Sequence, residues 1–367
     1  MDFNHLSFYV EAVAPWRDWF VNAWGAVCAG PTPGETADQT QERALVYIGQ
    51  VPLLIVADRA VVAPYLHRHP PGIGDVALRV NGLELMLEQV LAAGGSLVQP
   101  IQTDSWGRGR WSKIQGWGSL SHTLIESRQP EIWVPGIAPG HPLISGTSLI
   151  SAIDHAVLNV PTGELPEAIA WYVNQLGFQP RQRFTIDTPH SGLRSQVLAH
   201  PQGKAQLPIN EPATANSQVQ EFLDHNRGGG VQHVALHTTD IVQTVGQLRA
   251  GGVRFLAVPP SYYETLRRRP GYSTQDDMEG DWLRQREAAI AQLEILVDWE
   301  PHRPQARLLQ TFTQPLLNIP TVFFELIQRQ VVQVQEEAVQ AQGFGERNFQ
   351  ALFEAIEREQ LKRGSLV

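Results

Sequence analysis

Cysteine is nearly missing from this chain of 367 residues. Cys28 is the only one, so no internal disulfide can form, and a reducing cytoplasm is the expected location. Long apolar runs are missing too, and nothing approaches the ~20 residues of a membrane span. The opening residues "MDFNHLSFYV" lack the basic, then apolar, then small-residue layout of a secretory signal. There is no long basic run, and the net charge is −9, which argues against nucleic acid as the main partner. Arg267, Arg268 and Arg269 do cluster, but acidic Asp276, Asp277 and Glu279 lie nearby, so a solvated loop face is expected there. What is present is an ordinary globular share of apolar residues, 43%. The chain is too long for one ordinary core, which implies two domains or one large one.

The chain repeats itself. Residues 5–25, "HLSFYVEAVAPWRDWFVNAWG", resemble residues 155–177, "HAVLNVPTGELPEAIAWYVNQLG": a strand led by histidine, an amphipathic helix and a closing glycine. A second pair, "GDVALRVNGLELMLEQVLAAGG" (74–95) and "QHVALHTTDIVQTVGQLRAGG" (232–252), reads as a strand and then a helix stopped by glycines. Each half ends in a strand carrying a glutamate, "SHTLIESR" (121–128) and "TVFFELIQR" (321–329). Proline and glycine pile up in "WVPGIAPGHPLISG" (133–146), a linker composition. The expectation is an α+β fold of two homologous domains, 1–140 and 150–367, each built from two strand–helix–strands units with curled antiparallel or mixed sheets. An insertion in the second half is expected over roughly residues 261–305, with a helix in "DDMEGDWLRQREAAIAQLEIL".

The repeat aligns His5, Asp75 and Glu126 of the first half with His155, His233 and Glu325 of the second. His233 lies inside "GVQHVALHT", an otherwise apolar strand, where a lone histidine is usually a satisfied core residue. Two imidazoles and one carboxylate from three separate strands are, however, the ligand set that holds Fe(II) on one face and leaves the other open. Such a site keeps a charge of +1, which suits an anionic chelating substrate. Asp154 and Gln232 are candidates to orient the two histidines, although strand alternation points immediate neighbours to opposite faces. In the first half, one histidine with two carboxylates reads as structural or as a solvated pocket. His67 and His69 in "LHRHPP" read as an exposed loop.

The second half resembles the 4-hydroxyphenylpyruvate dioxygenases of the vicinal-oxygen-chelate superfamily. The resemblance rests on "DHAVLNVP" (154–161), "SGLRSQVLA" (191–199), "LPINEP" (207–212), "SQVQEFLDHNRGGGVQHVAL" (217–236), "PPSYYETLRRRPG" (259–271), "LLQTFTQP" (308–315), "FFELIQR" (323–329) and "GFGERNFQALFEAIE" (343–357). It covers essentially the whole chain and is densest after residue 150. It implies a glyoxalase-like fold of open, barrel-like βαβββ sheets, a metal-free first domain, and Fe(II) on His155, His233 and Glu325. It also implies oxidative decarboxylation, ring hydroxylation and side-chain migration of 4-hydroxyphenylpyruvate to homogentisate, in a homodimer or homotetramer. Pocket positions carried over are Ser195, Pro208, Asn210, Gln218, Phe312, Phe323 and Phe344 for binding, and Gln232, Gln310, Asn348 and Phe349 next to the chemistry. Taken alone, Phe312 and Phe323 would be core residues, Gln218 a solvated helix position and Asn210 a turn residue.

The last stretch has Phe349, Leu352, Phe353 and Ile356 at helical spacing, and the resemblance makes this helix a lid. "GFGERNF" places Arg347 where the family commonly has glycine, so a positive φ there would strain it. Two alternatives stay open. The sister enzyme 4-hydroxymandelate synthase uses the same substrate and iron but hydroxylates the benzylic carbon; Phe349, Pro208 and Asn210 favour the ring hydroxylase. A non-catalytic binding protein of this fold would be marked by a lost ligand, and none is lost.

Overall fold

The structure, a computed structural model, describes residues 1–29, 42–129, 132–138, 148–188, 191–272, 280–334 and 337–364. Its first sheet uses β1 (Asp2–Tyr9), β2 (Val27–Cys28), β3 (Arg43–Ile48), β4 (Val51–Val56), β5 (Gly72–Arg79), β6 (Leu97–Thr103), β7 (Gly109–Gln115) and β8 (Ser121–Ser127), in the order β2-β3-β4-β1-β5-β8-β7-β6. The second uses β9 (Ile150–Asn159), β10 (Gln179–Asp187), β11 (Gly192–Ala199), β12 (Gln206–Pro212), β13 (Gly230–Thr238), β14 (Leu296–Glu300), β15 (Arg303–Phe312) and β16 (Phe323–Arg329), in the order β10-β11-β12-β9-β13-β16-β15-β14. The two orders are the same order, which makes the sequence repeat a structural one. Both sheets are mixed: β1 and β9 run parallel to β4 and β12 and antiparallel to β5 and β13. The helices Val13–Trp24 and Leu165–Leu176 follow the leading strands. Each stops at a glycine in the left-handed region, Gly25 (φ 63°) and Gly177 (φ 71°).

Strand alternation then divides the side chains. On β9, Ala156, Leu158 and Val160 enter a large core that also takes Leu6, Phe8 and Leu53 of the first half, while His155 and Asn159 have the opposite parity. Val234 and Leu236 of β13, and Phe324 and Leu326 of β16, join the same core, leaving His233 and Glu325 for the other face. Trp24 of the first half packs edge-on against Phe324 with ring centroids 4.9 Å apart, so the core runs without a break between the halves. The inner face of the second half collects its own apolar cluster of Phe312, Phe323, Phe344, Phe349 and Phe353.

Several expectations need correction. The insertion is shorter than 261–305, because β14 is the counterpart of β6; what is added is the helices Pro260–Arg267 and Gly280–Gln292. Arg269 is no solvated loop residue: its guanidinium pairs with Asp298 at 2.5 Å and lies over the Trp299 ring at 4.0 Å. Asp276, Asp277, Glu279 and most of the expected linker lie outside the described residues. His69 is buried, and its Nδ1 meets the Asn226 carbonyl oxygen at 2.7 Å, joining the halves, while His67 is exposed.

Candidate metal centre

β13 lies between β9 and β16, and its register assembles the site. Ala235 is paired on one side with His155 and on the other with Glu325, and His233 stands two residues along on the same face. The small side chain of Ala235 leaves room for the three larger ones to converge. His155 Nε2 lies 3.3 Å from Glu325 Oε2, and His233 Nε2 lies 3.6 Å from it. One ligand atom from each residue falls within 4.8 Å of the others, and all three residues are buried. Among the described residues, His155 Nε2, His233 Nε2 and Glu325 Oε2 have no hydrogen-bond partner. Two imidazole nitrogens and a carboxylate oxygen buried together in this way are costly unless a cation, a proton or a metal ion, sits between them. A divalent metal fits this donor set, with two neutral nitrogens and one carboxylate oxygen on one side.

The residues beside the histidines reach the same side because the strands bulge. Val231 pairs with Leu158 and His233 with Val157, so Gln232 is an extra residue on β13. Ala235 pairs with His155 and Leu236 with Ile153, so Asp154 is an extra residue on β9. The expected alternation fails at these two places. Asp154 Oδ1 meets His155 Nδ1 at 2.8 Å, and Gln232 Oε1 meets His233 Nδ1 at 3.2 Å. Both contacts suit a proton on Nδ1, which leaves Nε2 as the atom that could coordinate a metal. Burial works against a charged imidazole at His155, but the carboxylates of Glu325 and Asp154 outweigh it and lift His155 to about 9. Burial and the nearby His155 push His233 well below the ordinary histidine value. Burial also opposes ionisation of Asp154, yet its hydrogen bonds from Arg329 and His155 hold its carboxyl far below the usual range.

Aromatic rings wall this face. Phe323 stacks on His233 with centroids 4.8 Å apart and planes 19° apart, and Phe344 stands edge-on to His155 at 5.0 Å. Phe312 is edge-on to His233 and to Phe323 at 6.4 Å. Phe349 packs against Phe184 at 5.3 Å. Ser195 pairs with Asn210 across β11 and β12, and Val197 with Pro208, placing Ser195, Pro208 and Asn210 on one face. Gln218 is buried at the start of the helix Gln218–Asn226 and shares a pocket with Gln232, Phe323 and Ile356. Ser195 Oγ, Gln218 Oε1 and Asn159 Nδ2 are buried without hydrogen-bond partners among the described residues. Gln310 Nε2 donates to Glu325 Oε1 at 2.8 Å and to the Phe344 carbonyl at 3.0 Å, and Gln310 Oε1 accepts from Asn348 Nδ2 at 2.9 Å. Sequence reasoning misses Asn159, Phe184, Tyr262 and Arg329. Asn159 shares the parity of His155 and Arg329 that of Glu325, a signal alternation offers. Tyr262 comes from the inserted helix and has none.

The C-terminal helix runs Glu346–Arg363, and the strain expected at Arg347 does not arise. Arg347 is helical, and the positive φ falls on Gly343 (78°) and Gly345 (70°). A Cβ on Gly345 would stand 2.1 Å from Gln310 Oε1. Gly345→Ala is therefore expected to displace Gln310 from Glu325 and to lower metal affinity or turnover by about 10–100-fold with the fold retained. Calorimetric metal titration beside a thermal melt checks this.

The first half needs one realignment. Asp75 pairs with Ser121 as His233 pairs with Phe323, which makes Thr123, not Glu126, the counterpart of Glu325. Glu126 corresponds to Gln328: it accepts from the backbone N–H groups of Gly82 and Leu83 at 3.1 Å, as Gln328 accepts from Ile241. Lys113 occupies the place of Phe312 and sets its ammonium 3.2 Å from Asp75 Oδ2. Here a side-chain cation answers the buried carboxylate.

Comparison with known proteins agrees with this geometry. The profile of the Glyoxalase/Bleomycin resistance protein/Dioxygenase superfamily matches residues 152–270. A 4-hydroxyphenylpyruvate dioxygenase from Caenorhabditis briggsae is 35% identical over 392 residues, spanning 99% of this chain and 93% of that one. The chain belongs to the 4-hydroxyphenylpyruvate dioxygenase family. An uncharacterized protein of Synechocystis sp. is 33% identical over 97% of both chains. A triple mutant of 4-hydroxymandelate synthase from Streptomyces coelicolor shares the fold, with a TM-score of 0.77 over 98% of each chain at 24% identity. As a 4-hydroxyphenylpyruvate dioxygenase family member, the protein is an oxidoreductase of glyoxalase-like fold with a metal cofactor and a small-molecule substrate. Among the described residues no helix is long and apolar enough to cross a membrane.

Proposed function

We propose that the protein converts 4-hydroxyphenylpyruvate and O2 to homogentisate and CO2, in the cytoplasm, using Fe(II) held by His155, His233 and Glu325. The observation that carries this reading is a set of unsatisfied buried atoms. Three orphaned ligand atoms converge on a sheet face walled by phenylalanines, and three further polar atoms, on Ser195, Gln218 and Asn159, also lack partners among the described residues. A ligand that is aromatic in its body, polar at its far end and chelating at its near end would satisfy both sets. When bound, Fe(II) supplies the electrons for O2 and the Lewis acidity that oxidative decarboxylation of an α-keto acid requires.

The rest falls to the chain's own residues. Asp154 and Gln232 fix the two imidazoles, and Gln310 fixes Glu325. Phe349 and the other aromatic side chains confine the substrate ring, and Ser195, Asn210 and Gln218 orient its hydroxyl and keto-acid ends. The helix Glu346–Arg363 would exclude water from the site during turnover. Within this reading residues 150–367 form the catalytic domain, and residues 1–140, with Lys113 already on Asp75, form a metal-free partner domain. Oxygen uptake tests it. Protein loaded anaerobically with Fe(II) is expected to consume O2 only after 4-hydroxyphenylpyruvate is added, and protein loaded with Zn(II) is expected to consume none. Equal uptake with either metal, or none with both, contradicts the reading.

A further inference from the structure

Two hydrogen-bond networks leave the ligand set by different routes and end on one short segment. The first starts at His155. Its Nδ1 meets Asp154 Oδ1, and Asp154 is gripped in a two-pronged pair by Arg329, with Nε 2.7 Å from Oδ2 and Nη2 2.8 Å from Oδ1. The remaining nitrogen, Nη1, donates to the carbonyl oxygens of Gly343 at 2.8 Å and Ala341 at 3.3 Å. Arg329 also lies 5.9 Å from the Phe344 ring, which is itself edge-on to His155. The second network starts at Glu325 and passes through Gln310 to the Phe344 carbonyl and to Asn348. Tyr262 closes it, donating its hydroxyl hydrogen to Asn348 Oδ1 at 2.9 Å. Residues 341–348, the root of the C-terminal helix, are thus fastened by the same groups that aim two of the three ligands.

We propose that Arg329 is a positioning residue that couples metal binding to seating of the C-terminal helix, with Gln310 as its counterpart on the Glu325 side. The proposal rests on the metal assignment above. A planar fork suits this role, since it holds Asp154 by two parallel bonds and turns a third nitrogen to the root of the helix. Metal binding fixes His155 and Glu325, which fixes Asp154 and Gln310, and both then present one arrangement of donors to residues 341–348. Because such coupling is reciprocal, loosening the root must weaken the metal as much as the metal tightens the root.

The test uses the full chain with Co(II) as probe, combining calorimetric titration, the visible Co(II) spectrum and amide hydrogen exchange over Glu346–Arg363. In the unaltered protein Co(II) is expected to slow exchange in the first turns of that helix. Arg329→Met is expected to weaken Co(II) by about 10–100-fold, alter its spectrum and erase the metal-dependent slowing. Arg329→Lys, which keeps the charge but not the fork, is expected to recover part of each. Absence of Co(II) binding to the unaltered protein overturns the metal assignment and the proposal with it. Binding with no change in helix exchange overturns the coupling alone. An Arg329→Met protein that melts earlier but binds Co(II) with unchanged affinity and spectrum also overturns it. If that variant does not fold, Arg329→Lys carries the same test, and unchanged Co(II) affinity, spectrum and helix exchange in it overturn the proposal.

Discussion

His233→Ala is expected to lose turnover by at least about 10³-fold while folding like its parent. The variant keeps His155 and Glu325 but loses the third donor, and two protein ligands cannot fix one face of an open metal site. Substrate binding is expected to suffer as well, since the imidazole shares a stack with Phe323. The fold should tolerate the change for a definite reason. His233 is held by a 3.2 Å contact to Gln232 and by that stack, and its Nε2 has no partner whose loss would leave a new orphan. Losing these contacts costs about 1–2 kcal/mol, small beside the core shared by the two halves. Metal titration, turnover and a thermal melt on one preparation separate the two effects. Full activity with Fe(II) would refute the ligand assignment.

Lys113→Met is expected to destabilise the protein by about 3–5 kcal/mol. Asp75 is fully buried, and among the described residues its Oδ2 is met, apart from Lys113, by the hydroxyls of Ser121 at 2.8 Å and Thr123 at 3.0 Å, while its Oδ1 has no hydrogen-bond partner. Removing the ammonium leaves a buried carboxylate that two hydroxyls cannot neutralise. Replacing both charges, as in Lys113→Met with Asp75→Leu, is expected to recover most of the loss, because the carboxylate is then gone.

The sign of the pH dependence follows from the same pair. Burial works to raise Asp75, but Lys113, His5 and Ser121 outweigh it and hold the carboxyl below its ordinary value. Its contribution is therefore present above about pH 4 and is lost as pH falls through the lower folded value. Burial works to lower Lys113, but Asp75 and Tyr9 outweigh it and hold the ammonium well above its ordinary value. Its contribution is present below about pH 10.4 and is lost as pH rises beyond the folded value. The stability gap between the parent and Lys113→Met is expected to be widest between these limits and to shrink on acidification. Urea unfolding at several pH values measures it, and a gap below about 1 kcal/mol near neutrality would remove Lys113 from this role.

The sequence carries the repeat because each half repeats a complete βαβββ pair, and two amphipathic helices ending in "WFVNAWG" and "WYVNQLG" leave a clear trace. It also points to the three residues that converge in the candidate site, since each sits in a strand whose other face is plainly apolar. The bulges are not legible. Nothing in "GVQHVAL" or "AIDHAVL" announces an extra residue, yet the bulges are what turn Gln232 and Asp154 toward their histidines. The first half misleads for a related reason. Residue type aligns the glutamate of β8 with Glu325, whereas the register puts Thr123 in that place and sends Glu126 to cap a helix. The sequence neighbours of Arg347 suggest strain, while the turn places its left-handed residues at Gly343 and Gly345. Tyr262 and Arg329 act through contacts across long stretches of chain, 86 residues to Asn348 and 175 to Asp154. Local patterns do not report such distances.

Product identity tests the central claim most directly. Protein loaded with Fe(II) under anaerobic conditions would be given 4-hydroxyphenylpyruvate and then air, and the products separated by chromatography. The account predicts homogentisate and an equal amount of CO2. 4-Hydroxymandelate would keep the metal site but contradict the assignment of Phe349, Pro208 and Asn210 to ring hydroxylation, and unchanged 4-hydroxyphenylpyruvate would contradict the proposed activity itself.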